Sequence, residues 1–152
     1  MQTFLPYPDF AQTAQVLSRQ HLGCQRKEAK QILSVLLTGK PGTGWYNHIV
    51  VRMWRGHETA LALYGQTICK EWRRRGYKDS QLEIFEDHLK RLPPLVLPSW
   101  IGGGNLHSSY RAALLAKNSE WYGQFGWQEQ PVIDYAWPFA LLHENGSKKG
   151  GG

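Results

Sequence analysis

The spacing of apolar side chains along the chain predicts helices over most of its length. Apolar residues recur every three or four positions, which is the signature of a helix with one buried face. At one start, Asp79 and Ser80 with Glu83 resemble a capping box. We therefore expect an all-α fold, a compact single domain of about three main helices plus shorter ones. The predicted helices cover about 9–18, 25–37, 57–75, 80–92 and 106–117.

Glycines and prolines divide these helices from one another. Gly23 is expected to break the chain before the second helix, while Gly39 and Gly76 are expected to end the second and third helices. Residues 40–44 form a loop, and no Gly-Lys-Ser/Thr follows them, so the loop is not a nucleotide-binding P-loop. Residues 48–54 are apolar and β-branched, and the pattern leaves strand and helix open.

Length and composition indicate one intracellular domain. A chain of 152 residues can bury a sufficient core without disulfides, and we assign residues 1–145 to a helical domain and 146–152 to a flexible tail. The two cysteines, Cys24 and Cys69, have no paired spacing and are expected to be reduced thiols.

Several classes of protein are excluded by what the sequence lacks. Neither the cysteines nor the histidines show metal-ligand spacing, so no metal or other cofactor is expected. The amino terminus does not read as a signal peptide, and no run approaches the roughly 20 apolar residues of a membrane span. We expect a cytoplasmic monomer without membrane contact, associated with the nucleoid in a bacterium or located in the host cytoplasm for a phage protein.

The charge balance is the first indication of a partner. Eighteen Lys and Arg residues face twelve Asp and Glu residues, and the isoelectric point is about 9.4. A basic excess favours polyanions, chiefly nucleic acid, although many basic proteins bind none. The positions of the cations therefore matter more than their number.

The first cationic cluster surrounds Glu28, at the start of the second predicted helix. One interpretation is a solvated helix face with ordinary side-chain pairs. The other is a catalytic carboxylate in a phosphate-binding surface, where the cations would keep Glu28 ionised. The candidate DNA-binding residues of this cluster are Gln20, His21, Arg26, Lys27 and Lys30.

The second cluster places five cations within residues 70–78, at the end of the third predicted helix. The helix dipole accounts for one or two cations at such an end. Contact with phosphates is the better account of some of the others. The candidates here are Arg73, Arg74, Arg75 and Lys78, and Arg111 and Lys117 on the fifth predicted helix are added to them.

Aromatic residues separated by glycines fill residues 121–127. Such a segment forms either part of a core or a surface on which bases stack, and cores are the commoner use. Under the second interpretation Trp121 and Tyr122 are DNA-binding candidates. The glycine turn before the fifth helix either presents amides to a phosphate or provides an ordinary Asn105 cap.

These clusters resemble motifs of the pyrimidine-dimer DNA glycosylase family. Gln20-His21-Leu22 followed six residues later by Glu28 is similar to the helix that carries the family's catalytic Glu. The run 72–77 looks like a family helix end, and residues 121–126 look like an aromatic motif near the flipped-out damage. The opening 1–7, together with Asn47-His48 and Arg52-Met53-Trp54, resembles a bacterial and mycobacterial branch of the family.

The resemblance implies three main helices packed side by side and a two-step reaction. An amine attacks C1′ of the damaged nucleotide, the base leaves, a Schiff base forms, and β-elimination then nicks the strand. Glu28 would stabilise the cationic sugar. The family's amine is the α-amino group of the mature amino terminus; here the large side chain of Gln2 should leave Met1 in place, so Met1 is the expected nucleophile.

Alternatives to this enzyme remain open from the sequence. Lys27 or Lys30 could replace the α-amine, or water could attack without forming a Schiff base. The chain could also be a DNA-binding module of the same fold without catalytic activity. A third possibility is a basic protein that binds RNA or another protein, in which Trp45, Trp54 and Trp72 belong to the core.

Overall fold

The structure is a computed structural model, and it describes residues 1–138. Within that range the chain is helical without a strand, so the predicted all-α class is confirmed. Seven α-helices and one 3₁₀ turn are present among the described residues. They are α1 (Phe10–Val16), α2 (Arg19–Thr38), α3 (Ile49–Trp54), α4 (Glu58–Arg74), α5 (Leu82–Arg91), α6 (Leu106–Lys117), α7 (Ser119–Tyr122) and the turn Gly123–Phe125.

The predicted break at Gly23 is wrong, because α2 begins at Arg19 and continues through the glycine. Ser18 caps the helix, since its hydroxyl accepts a hydrogen bond from the His21 amide at 3.2 Å. Gly23 faces the indole of Trp72 on α4, where an added Cβ would lie 3.0 Å from Cη2. The glycine therefore allows close packing of two helices, which outweighs its unfavourable helix propensity of about 1 kcal/mol.

The ambiguous run 48–54 is helical. His48 caps α3, because its Nδ1 accepts a hydrogen bond from the Val50 amide at 3.1 Å. The start of α5 also differs from the predicted capping box. Asp79 accepts hydrogen bonds from the amides of Gln81 and Leu82, whereas Glu83 turns to Arg73.

The chain divides into two compact units, and the first is Met1–Pro98. Here α4 packs against α1, α2 and α5. Gly65 of α4 lies directly against the ring of Phe85 from α5, and a side chain there would collide with that ring. The fully buried side chains of this unit include Leu5, Leu17, Leu22, Trp54, Tyr64 and Phe85.

The first five residues are built into this core, and hydrogen bonds of Thr3 and Phe4 are among those that fix them. The Trp54 indole donates to the Thr3 hydroxyl at 2.9 Å. The Phe4 amide donates to Gln25 Oε1 at 3.0 Å, and the Tyr64 hydroxyl donates to the Phe4 carbonyl at 2.8 Å. The amino terminus is therefore held against α2, α3 and α4.

The second unit begins at Ser99 and contains α6 and α7. The bounds of α6 match the predicted fifth helix. Tyr110 and Tyr122 are fully buried in this unit. No helix among residues 1–138 is both long and apolar enough to cross a membrane. The predicted tail, 146–152, lies outside the described residues.

Candidate active site and nucleic-acid interface

The carboxylate of Glu28 lies beside the amino terminus of the chain. The Gln2 amide donates a hydrogen bond to Glu28 Oε1 at 2.7 Å. One turn earlier on α2, the Gln25 side chain donates to the Gln2 carbonyl at 2.8 Å. Gln2 is thus held through both its N–H and its C=O, and the Cα of Met1 lies about 3.8 Å from that of Gln2.

Glu28 forms no ion pair within the described part of the chain, whereas Glu71, Asp79 and Glu129 are each paired with an arginine. Lys27 and Lys30 are neighbours in sequence, but successive residues of a helix point about 100° apart. Their side chains are exposed on other parts of α2. The half-buried carboxylate is thus accessible and has a backbone amide as its partner.

His48 is a second titratable group near the amino terminus. Partial burial and, to a lesser extent, the positive charge of the amino terminus lower the pKa of this histidine. Since Nδ1 accepts the Val50 amide, the neutral ring carries its proton on Nε2. Sequence reasoning had used His48 only for the family resemblance.

His21 shares the face of α2 that carries Glu28, because seven residues make two helical turns. Its ring packs against Phe4 with centroids 5.1 Å apart. Gln20 is exposed on the adjacent part of the helix. The three residues singled out in the Gln-His-x₆-Glu pattern are thus brought to the solvent-facing side of α2 near residues 1–4.

Two open cavities lie along α2, one of about 450 Å³ and one of about 440 Å³. Neither lining contains a carboxylate, and several side chains carry positive charge. Arg19, which sequence reasoning did not select, lies at the first cavity with its guanidinium 5.2 Å from the Tyr77 ring. The first cavity is lined by Arg19, Gln20, Gly23, Cys24, Arg26, Lys27 and Trp72. The second is lined by Lys27, Lys30, Gln31, Ser34, Val35 and Gln81. Their cations suit an anionic ligand such as a phosphate chain.

Arg26 reaches this surface, but its guanidinium is held inside the protein. Its Nε donates to Asp79 Oδ1 at 2.9 Å, and its Cζ lies 4.8 Å from the Trp72 ring. Burial opposes ionisation of Asp79. The Leu82 and Gln81 amides and the Arg26 guanidinium nevertheless hold the pKa of this carboxyl below its usual value. The Arg26 side chain is 10% exposed, so its main contacts are structural.

The arginines that end α4 are also paired within the protein. Arg73 binds Asp79 and Glu83, at 3.3 and 2.7 Å. Arg74 donates twice to the Glu71 carboxylate, and Arg75 Nε donates to the same group at 2.8 Å. The sequence interpretation assigned some of these cations to phosphates, but carboxylates of the same chain already account for all three arginines.

Lysines make up the exposed remainder of the two cationic clusters. Lys27, Lys30 and Lys78 are exposed, and none of them forms an ion pair with a residue in the range 1–138. Arg75 differs from these lysines, because its guanidinium is paired with Glu71 and its Nη2 also donates to the carbonyl of Ala14 in α1. The lysines are therefore the cations most available to a ligand.

The second unit keeps few of the predicted contacts accessible. Tyr122 is fully buried and stacks on Trp127 with an interplanar angle of 13°, so its ring belongs to the core and presents no face to a base. Trp121 is 37% exposed. Arg111 is paired with Glu129 at 2.9 Å, while Lys117 is exposed.

Among residues 1–138 no three His, Cys, Asp or Glu side chains are grouped as a metal site. The groups that lie in this part of the fold are the amino terminus, Glu28 and His48. An amine beside a carboxylate can form a Schiff base with a sugar carbon and move the protons that this step requires.

Comparison with known proteins shows the family of the chain. The family described as pyrimidine dimer DNA glycosylase matches residues 1–85, which is more than half of the chain and contains Gln2, Glu28 and the cationic face of α2. No curated protein and no solved structure matches the chain. On the strength of the family match, the chain belongs to the pyrimidine dimer DNA glycosylases.

Proposed function

We propose that this protein binds duplex DNA and excises a damaged pyrimidine, such as one in a pyrimidine dimer, after the damaged site has opened. The observation that supports the proposal is the 2.7 Å hydrogen bond from the Gln2 amide to Glu28. It brings the amino terminus to a carboxylate without an ion-pair partner in residues 1–138. We expect the protein to act as a cytoplasmic monomer.

The reaction begins with the lone pair of the α-amine. It forms a bond to C1′ of the nucleotide, and the base leaves with the electrons of the glycosidic bond and takes up a proton. Loss of the second amine proton and opening of the sugar ring give a Schiff base. β-Elimination then breaks the bond from C3′ to the phosphate. Glu28 stabilises the positive charge that develops on the sugar and carries protons between these groups.

An α-amine suits this role better than a lysine. Its ordinary pKa is about 7.7–8.0, against about 10.4 for lysine, so a larger fraction is unprotonated at neutral pH. With Met1 retained, the amine stands one residue before the nitrogen that Glu28 binds. If Met1 is removed, that nitrogen itself becomes the amine. Lys27 and Lys30 are less suitable because both point away from Glu28.

DNA would lie along the exposed side of α2. Lys27, Lys30, Lys78 and Arg19 are the best candidates for phosphate contacts, since they are exposed there. Arg26 and Arg75 support this surface through their internal pairs. The remaining proposed contacts are Gln20, His21, Arg73, Arg74, Arg111, Lys117 and Trp121.

The deciding experiment is borohydride trapping on a duplex that carries one thymine dimer, followed by mass spectrometry of the peptides. An adduct on residues 1–19 supports the α-amine, and the intact mass shows whether residue 1 or 2 carries it. An adduct on residues 27–30 supports a lysine instead. A protein with an added amino-terminal residue is the control, because its amine is displaced and trapping should be lost.

The same experiment separates the remaining readings. Base release without an adduct would mean that water is the nucleophile and that no lyase step occurs. Salt-sensitive binding with neither adduct nor base release would contradict the proposed enzyme. The protein would then be a DNA-binding module of this fold.

A further inference from the structure

The segment that leads from the amino terminus into the fold is held by a side chain that imitates a strand. Gln25 of α2 is fully buried, its Nε2 donates to the Gln2 carbonyl at 2.8 Å, and its Oε1 accepts from the Phe4 amide at 3.0 Å. It therefore bonds to both sides of residue 3, as a peptide group of a neighbouring strand does. Glu28, one turn later on the same helix, accepts from the Gln2 amide.

The Gln25 amide has one orientation that satisfies both contacts. A flipped amide would oppose Nε2 to the Phe4 N–H and Oε1 to the Gln2 carbonyl oxygen. The fully buried Tyr64 of α4 adds a hydroxyl that lies 2.6 Å from Gln25 Oε1 and 2.8 Å from the Phe4 carbonyl oxygen, and its proton serves either acceptor. These two side chains, the Gln25–Tyr64 clamp, thus fix residues 2–4 against two helices of the core.

Apolar contacts alone would not give this segment a fixed orientation. Phe4 and Leu5 are buried and hold the segment in the core, but the hydrophobic effect is non-directional. Hydrogen bonds fix direction as well as distance. Because buried polar groups are costly unless they are hydrogen-bonded, the Gln25–Tyr64 clamp is better explained by a need for orientation than by a need for stability.

The planarity of the peptide group extends this orientation to the α-amine. With Met1 retained, the Met1 Cα lies in the same plane as the Gln2 N–H that Glu28 binds. The amine nitrogen is about 1.46 Å from that Cα, so rotation about the single Cα–C bond moves it on a circle of about 1.4 Å radius. Fixing Gln2 therefore confines the amine to a small region.

We propose that Gln25 and Tyr64 are positioning residues for the amine that attacks C1′. They act through Gln2, whose backbone they hold, and they keep the amine and Glu28 in a constant relation. Misplacement of a reacting group by about 1 Å can cost about a hundredfold in rate, and loss of the Gln25–Tyr64 clamp allows movement on this scale. The inference rests on the proposed function, since it concerns the same amine.

A duplex with one abasic site isolates this step, because its C1′ aldehyde reacts with the amine without prior release of a base. Excess protein is mixed with the duplex and cyanoborohydride, which reduces the Schiff base in preference to the aldehyde. Adduct formation then gives a saturating rate and a half-saturating protein concentration. Gln25→Met removes the amide, so the saturating rate should fall about 10- to 100-fold. The half-saturating concentration should not change, because the proposed DNA contacts lie elsewhere.

Tyr64→Phe is the milder variant, and it decides the question if Gln25→Met does not fold. It removes one hydroxyl and leaves the contacts of Gln25 with Gln2 and Phe4 in place. The saturating rate should fall about 2- to 12-fold, as expected for one lost hydrogen bond. Circular dichroism shows whether each variant is folded. Hydrogen exchange of the Gln2 amide, which should become faster in both variants, reports the Gln25–Tyr64 clamp without DNA.

Thr13→Val is the matched control, because Thr13 holds the chain in the same way farther from the amine. Its buried hydroxyl donates to the Tyr7 carbonyl at 3.0 Å and accepts from the Tyr7 amide at 3.3 Å. Valine keeps the shape of the side chain and removes both bonds. Urea unfolding should therefore show a loss of stability comparable to that of Tyr64→Phe, while the saturating rate should remain that of the wild-type protein.

The outcomes separate the positioning role from the proposed enzyme. If the wild-type protein is trapped through its α-amine and both variants match its saturating rate, the positioning role is overturned and the enzyme stands. An equal loss of rate in Thr13→Val, or a change confined to the half-saturating concentration, also overturns it. If the wild-type protein forms no adduct, or forms one on a lysine, the proposed amine chemistry fails and the positioning role fails with it.

Discussion

Carboxylates lie among cations in two regions of the chain, and the two regions differ in whether the carboxylates form ion pairs. At the amino-terminal site, Glu28 accepts a hydrogen bond from the Gln2 backbone and has no ion-pair partner among residues 1–138. At the end of α4, Glu71 is bound by Arg74 and Arg75, and Asp79 is bound by Arg26 and Arg73. The first region leaves a charge accessible, while the second neutralises it.

Helix geometry explains much of this contrast. Arg74 and Arg75 follow Glu71 by three and four residues, the spacings at which side chains on a helix meet. The cations nearest to Glu28 in sequence lie one or two positions away and point elsewhere. Local cation density is therefore a poor guide to function, and spacing decides whether a carboxylate is consumed by a structural pair.

The largest expected effect is a difference between Glu28 and Glu71 in their influence on the rate of base release. Glu28→Gln keeps the shape of the site but removes the charge that stabilises a cationic sugar, so the rate of base release should fall about a thousandfold. Single-turnover kinetics on the dimer-containing duplex measures it. DNA affinity should be unchanged or slightly higher, because one negative charge near phosphates is lost.

Glu71→Gln is the matched control, since it removes the same charge from the other region. Its rate of base release should remain near that of the wild-type protein. Equal losses of rate in the two variants would show that Glu28 has no special part in the reaction.

Asp79→Asn should produce the largest loss of stability. Arg26, a nearly buried cation, would keep a neutral partner that cannot balance its charge, and breaking such a pair destabilises by about 3 kcal/mol or more. Urea unfolding monitored by circular dichroism gives the change. A replacement of Glu28 should leave the midpoint almost unchanged. If Asp79→Asn is as stable as the wild-type protein, the Arg26 pair contributes nothing to the fold.

Lowering the pH should reduce the stability that Asp79 and Glu71 contribute to the fold. The folded-state pKa of Asp79 is lowered despite its burial, and hydrogen bonds from Arg74 and then Arg75 lower that of Glu71. A lowered pKa adds stability above the unfolded-state value of about 4, and this contribution is lost as the pH falls through the folded value. Stability should be level down to about pH 5 and fall below about pH 4. Unfolding curves of Asp79→Asn should show a smaller fall.

A smaller effect distinguishes exposed cations from paired ones through the salt dependence of DNA affinity. Lys27→Ala should reduce the slope of log K against log salt by about 0.9, the value for one phosphate contact. Arg74→Ala should reduce it less, because that guanidinium already binds Glu71. Fluorescence anisotropy over a series of salt concentrations measures both. A larger change for Arg74 would mean that DNA displaces Glu71.

The smallest expected effect concerns the two thiols. Cys24 is exposed at the first cavity, whereas burial raises the pKa of Cys69 to about 12. A thiol reagent should therefore modify one cysteine rapidly in the native protein, and bound DNA should slow that reaction. Rapid modification of both cysteines would indicate that the part of the fold around Cys69 and Asp79 opens easily.

The sequence alone was sufficient where one local pattern governs the outcome. Periodicity predicted α4 closely and α6 with its observed bounds. The resemblance carried by Leu22 and Glu28 selected a candidate carboxylate, and its catalytic role stays a prediction. Gly23 was misread, since the Trp72 ring that makes a glycine favourable there lies 49 residues away in sequence.

Tertiary structure decided which charged and aromatic side chains remained accessible. Arg26 pairs with Asp79, which lies 53 residues later in sequence. The sequence does not indicate that Trp45 is exposed while Tyr122 is buried. Likewise, the hydrogen bond from the Gln2 amide to Glu28 joins residues 26 positions apart in sequence. A helical pattern fixes the face on which a residue lies, but only the packing of distant segments determines what covers that face. The sequence therefore determined the helices and the candidate carboxylate, while the fold alone brought the amino terminus to it.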